Sequence, residues 1–207
     1  MRGANLIVLV ALIVPVTIFA DEPLAAWAAT LPIRLAESAS TLSATLGLFG
    51  LAVALVAVLI SLAPQVAGHS VRVVRHHGCT ATLVAVSAVA SLGSAALLKH
   101  VVGRIRPSTQ GADPWRFEFM AFDDEFAAWP SVHAAVAAAI VLSLSIQLPH
   151  LRRPLLIAGV AACLARVLAG AHWPSDVMSG WALGAAMVAA AQLGLARRRL
   201  RRVARDP

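Results

Sequence analysis

Residues 164–176 read LARVLAGAHWPSD and place Arg166, His172 and Asp176 at spacings of six and four in an otherwise apolar stretch. A charge at membrane depth or at the membrane edge is costly, so it marks a functional site by default. A cation, an imidazole and a carboxylate are together the parts of a group that binds an anion and attacks it. Whether they act so depends on what else the chain brings to the same side of a membrane.

The surrounding composition is that of a membrane protein. Of 207 residues, 59% are hydrophobic and only 13% charged, about half the charged fraction of a soluble domain. The formal charge of +7 does not point to nucleic acid, because the basic residues fall in short segments between apolar runs. Cys79 and Cys163 sit at the start of one run and inside another, which disfavours a disulfide and leaves too few thiols for a zinc site.

Apolar runs at residues 5–20, 41–63, 79–98, 131–148, 155–169 and 177–196 predict membrane-spanning helices of about 20 residues. The first is a short span or a secretory signal peptide. Residues 24–40 read as an interfacial segment, with Pro32 interrupting any helix. Residues 108–129 form a polar loop with interleaved aromatics suited to the membrane interface. His76 and His77 belong to a basic loop rather than a metal site. Alternate segments carry Arg2, Arg72, Arg75, Arg152, Arg153 and six arginines between Arg197 and Arg205 on one side. Arg34, Lys99, Arg104, Arg106, Arg116 and Arg166 lie on the other, eleven against six. The more basic side is cytoplasmic. The expectation is an all-α polytopic membrane protein, a single domain over 1–207. Six helices form one bundle, both termini are cytoplasmic, and the active site faces the outside. Residues 197–207 form a basic cytoplasmic tail.

Three polar clusters fall on that outer side. In the first, Lys99 and Arg106 are seven apart, so a helix continuing to Pro107 would carry both on one face. Lys99 is the single lysine beside sixteen arginines. In the second, Ser131 is an N-cap candidate, and His133 follows in a first turn whose free amides suit an anion. In the third, Asp176 either caps the last helix or accepts a hydrogen bond from His172. The second role would fix the imidazole tautomer and free its other nitrogen as a nucleophile. Phosphoryl transfer needs such parts: cations and amides around the phosphate, an in-line nucleophile and an acid for the leaving group. The Asp and His residues lack metal-ligand spacing, which makes metal-free chemistry without a cofactor the simpler reading.

These clusters resemble the three motifs of the type 2 phosphatidic acid phosphatase superfamily, K-x6-R-P, P-S-G-H and S-R-x5-H-x3-D. Here they stand as Lys99…Arg106-Pro107, Pro130-Ser131-Val132-His133 and Ala165-Arg166…His172…Asp176, and the resemblance spans roughly residues 41–196. It implies a membrane lipid phosphatase in which His172 becomes a phosphohistidine, Asp176 orients it and His133 protonates the leaving oxygen. Lys99, Arg106, Arg166 and the Ser131 region would hold the phosphate, with no metal. The implied partners are the bilayer and a lipid phosphate, such as undecaprenyl diphosphate, phosphatidylglycerol phosphate, phosphatidic acid or a lipid A phosphate. A bacterial inner membrane fits that chemistry. Val132 replaces the motif glycine and Ala165 the motif serine. An alternative is therefore a catalytically impaired relative that binds phospholipid headgroups.

Overall fold

The computed structural model describes residues 3–67 and 72–203. Arg2, Arg205 and the centre of the expected loop at 68–71 lie outside them. Among the described residues, seven α-helices follow one another: α1 (Gly3–Phe19), α2 (Asp21–Ala29), α3 (Ile33–Ala67), α4 (Arg72–Val102), α5 (Val132–Gln147), α6 (Arg152–Leu168) and α7 (Pro174–Val203). Each expected apolar run lies in a helix. The interfacial segment divides at Pro32 as expected. Residues 33–40, however, open α3, which also runs past Pro64 to Ala67.

Among the described residues, three helices are long and apolar enough to cross a membrane alone: Ile33–Leu62 within α3, Thr80–Val102 within α4 and Pro174–Arg198 within α7. The described parts of α1 and α2, bent by 58° at their junction, would together make a fourth span. At 16 and 17 residues, α5 and α6 reach only about 24–26 Å at 1.5 Å per residue. For α5, burial replaces length, because α3, α4, α6 and α7 all pack against it. Large apolar side chains such as Leu48, Phe49 and Ile157 stay exposed on the bundle's outside, as lipid-facing residues do. The chain is a membrane protein.

Small residues let the central helices approach closely. A Cβ at Gly180 would lie 2.4 Å from the Ser131 carbonyl oxygen, and one at Gly184 would lie 2.3 Å from that of Ala135. This pair, four residues apart, brings α7 against the backbone of α5 in the way membrane helices favour. Ala54 and Ala57 of α3, Ala85 and Ala88 of α4, Ala139 of α5 and Val188 of α7 fill the core between them. One buried hydrogen bond, Ser87 to Ser143 at 3.0 Å, joins α4 to α5.

The alternation of helices brings the ends of α4 and α6 and the starts of α5 and α7 to one end of the bundle. There the 103–131 connection folds down on itself. The amide of Ile105 donates to the Arg116 carbonyl, that of Glu118 to Gly103 and that of Ala128 to Arg104. Ile105, Ala121 and Phe126 form a small core beneath.

Candidate active site

The first sequence cluster has a different local geometry from the one its spacing predicts. α4 does not continue to Arg106. It stops at Val102, because Gly103 turns to φ +58°, and a Cβ there would overlap the Glu118 carbonyl oxygen at 1.7 Å. Only glycine tolerates both conditions. Lys99 therefore ends a helix while Arg106 lies on the loop. They meet through tertiary folding rather than along a helix face. Arg106 Nε donates to the Asp124 carbonyl at 2.6 Å, and its guanidinium stays half-buried.

At the second cluster, Ser131 is the N-cap of α5. It is fully buried, and its Oγ accepts from the Ala134 amide at 3.4 Å. Its own amide donates to the Asp176 carbonyl, tying the starts of α5 and α7 together. The cap uses only a lone pair of the hydroxyl, so its O–H and the first-turn amides at Val132 and His133 are the donors here. The Val132 side chain lines an apolar groove beside His133. The cavity holds about 370 Å³ and is walled by Leu51, Leu55, Leu92 and Val136 among others.

At the third cluster, the expected hydrogen bond between His172 and Asp176 is not made. His172 Nδ1 donates to the Ala128 carbonyl at 2.8 Å, and the nearest Asp176 oxygen is 3.9 Å away. His172 lies in the turn before α7, so the i,i+4 geometry of a helix does not apply to it. The Ala128 bond nonetheless fixes the tautomer, leaving Nε2 as the lone-pair nitrogen. Burial first, then the Arg166 and Arg106 charges, hold the His172 pKa well below the usual imidazole value despite the Ala128 bond.

Asp176 serves two other groups. Its Oδ2 accepts from the Trp173 amide at 2.8 Å, a third-residue carboxylate closing the helix start. Its Oδ1 takes Arg104 Nη1 at 2.5 Å. Arg104 is 1% exposed, and all three of its nitrogens are used. Nε donates to the Pro114 carbonyl at 2.8 Å, Nη1 also to Ser175 Oγ, and Nη2 to Asp21 Oδ2 at 2.8 Å. Asp21 in turn caps α7, accepting from the Ser175 amide at 2.9 Å and from its hydroxyl. The sequence marks Arg104 only as one of the outer-side basic residues and gives Asp21 no role. Nothing in their spacing links them, since 83 residues separate the pair.

Arg166 ends α6, and its Nη1 donates to Ser43 Oγ of α3 at 3.1 Å, while its buried Nε has no partner among the described residues. Lys99, Arg106 and Arg166 act on one another and on His133 electrostatically, and the two arginines also act on His172. Three cations and two imidazoles thus share one end of the bundle. Among the described residues, no three His, Cys, Asp or Glu side chains are grouped to hold a metal ion.

An all-helical membrane bundle that ends in a cationic cleft with two histidines is a defined class of protein. Residues 79–199 match the PAP2 superfamily, and the chain belongs to it. Among curated relatives, a lipid A 1-phosphatase of Rhizobium johnstonii is 34% identical over 91 residues, 43% of this chain and 37% of that one. A second, from Rhizobium etli, is 34% identical over 90 residues, 42% of this chain and 38% of that one. The match thus spans less than half the length of either relative. A solved PAP2 type phosphatidylglycerolphosphate phosphatase from Bacillus subtilis shares the fold, with TM-score 0.58 and 19% identity over 94% of this chain and 96% of that one.

Arg104→Met removes the countercharge of two buried carboxylates, and breaking such a pair costs about 3–5 kcal/mol. Thermal unfolding of the purified protein in detergent is expected to show that loss, and an unchanged midpoint would refute the bridging role.

Proposed function

We propose that the protein is a lipid phosphatase that hydrolyses a phosphate monoester or diphosphate of an envelope lipid through a phosphohistidine. One observation carries the reading. The Ala128 bond holds His172 in the tautomer whose Nε2 carries the lone pair, and Arg166, whose charge acts on that ring, keeps its buried Nε unmet among the described residues. The family motifs and the two lipid A 1-phosphatase relatives support it.

Lys99, Arg106, Arg166 and the amides after Ser131 receive the phosphate and spread its charge. The Nε2 lone pair of His172 forms a bond to phosphorus as the bridging P–O bond breaks. The departing lipid oxygen keeps that electron pair and takes a proton from His133. Water then gives a proton to His133 and attacks phosphorus, the N–P bond breaks, and phosphate leaves. Asp176 acts at one remove, by shaping the Trp173 turn that carries His172. No step calls for a metal or another cofactor. The apolar groove beside His133 takes part of the lipid tail, so the headgroup meets the site at the membrane surface. Undecaprenyl diphosphate, phosphatidylglycerol phosphate, phosphatidic acid and a phosphorylated lipid A all have this chemistry.

The distribution of arginines supports six crossings of a bacterial inner membrane, with both termini cytoplasmic and the site outside. A reporter fused after residue 207 is expected to read cytoplasmic; a periplasmic signal would reverse the arrangement.

Purified protein is expected to release phosphate from at least one of the four lipids in the presence of EDTA, with inhibition by vanadate. His172→Ala should abolish release. If that variant turned over at the wild-type rate, the nucleophile would be elsewhere; lipid binding without release would indicate a headgroup-binding relative. The lowered His172 pKa also sets a sign for the pH profile. Its neutral, nucleophilic form persists as pH falls through 6.5 and is lost only well below. The acid limb of kcat/KM should lie there, and a limb centred on the ordinary imidazole value would contradict the buried nucleophile.

A further inference from the structure

None of the three motifs includes α3, yet α3 touches two of the groups to which the phosphatase reading gives roles. Ser43 is 2% exposed and accepts from Arg166 Nη1 at 3.1 Å. One turn further on, Gly47 faces His133. A Cβ on Gly47 would lie 2.9 Å from His133 Cδ2 and 3.0 Å from Nε2. That is closer than side chains pack, so the imidazole rests directly on the bare backbone of α3. Among the described residues His133 has no hydrogen bond to fix its ring, and it opens onto the apolar groove. Contact with Gly47 is therefore what limits where its Nε2 can point.

We propose that the Ser43–Gly47 face of α3 is a fourth positioning element of the site. Ser43 holds the Arg166 guanidinium, and Gly47 leaves the space in which His133 presents its proton. This rests on the phosphatase reading and adds to it two residues the motifs omit. It also bears on Ala165, which lacks the hydroxyl the family motif carries beside its arginine. Here a hydroxyl reaches that arginine from another helix.

The chemistry supplies a readout that a purely structural role would not move. As the His172–phosphorus bond forms and the P–O bond breaks, an alkyl oxygen needs the His133 proton, whereas a nitrophenolate leaves without one. A methyl group at residue 47 meets only the movable end of the His133 ring, so the fold can accept it while the proton donor is displaced.

The test uses full-length protein in detergent and two phosphate monoesters of matched chain length, one alkyl and one nitrophenyl. General acids contribute about 10²–10⁴-fold, so a partly displaced one is expected to cost about tenfold or more. Gly47→Ala should lower alkyl phosphate turnover by that factor and change nitrophenyl turnover by less than about twofold. Gly93→Ala, on an open face of α4 with nothing within 4 Å of the new Cβ, should change neither. Ser43→Ala should weaken vanadate inhibition severalfold, and Ser43→Thr, which keeps the hydroxyl, should restore it. Equal losses on both esters in Gly47→Ala, or no loss, would overturn the role of Gly47. Should that variant fail to accumulate, the Ser43 pair decides: unchanged vanadate inhibition in Ser43→Ala overturns the proposal. A wild-type protein active on neither ester would overturn the phosphatase reading itself, whereas an active wild type with indifferent variants would overturn only this inference.

Discussion

A guanidinium buried between two carboxylates organises the polar end of this bundle. Arg104 joins Asp21 at the α1–α2 break to Asp176 and Ser175 at the start of α7, and its Nε pins the loop at Pro114. It lies 5.6 Å from the Trp173 ring and 5.8 Å from that of Phe117, both within cation–π range. A charge so far from water is tolerable only when it is paired and its donors find acceptors. Meeting them fixes three separated stretches of chain at one point.

That constraint sorts the outer cations into two kinds. Arg104 spends four of its five N–H donors on protein atoms and is 1% exposed, so it builds the site rather than opening to a ligand. Among the described residues, Lys99, Arg106 and Arg166 lie together without comparable neutralisation, and Arg166 keeps a buried nitrogen unpaired. Crowded cations repel, and the natural relief is an anion between them. The same loop sets the nucleophile candidate. Ala128, which accepts from His172, has its own amide tied to the Arg104 carbonyl. The imidazole is thereby referenced to the backbone that the buried arginine holds in place.

The apolar body shows the same economy. Glycines and alanines bring α4, α5 and α7 close, so a helix of only 16 residues can be the centre of the bundle rather than a lipid-facing span. α3 is the exception in character. It is long, exposed along its outer face, and touches the site through a serine and a glycine that carry no motif signal.

The sequence by itself determined the class of fold and picked out the candidate site residues. Runs of apolar residues, a lopsided distribution of arginines and three spaced motifs are local signals, and each survives without knowledge of contacts. Ser131 was readable as a helix cap because capping acts over three residues. Spacing misled at two points. Gly103 ended a helix that Lys99 and Arg106 were expected to share, and His172 preceded the helix whose geometry would have paired it with Asp176. Only the tertiary structure decided that Asp176 serves Arg104, that Asp21 joins it, and that Ser43 and Gly47 touch the site. Those contacts join residues dozens to more than a hundred positions apart. They are selected by burial and by the need to satisfy every polar group out of water, neither of which leaves a periodic trace in the chain.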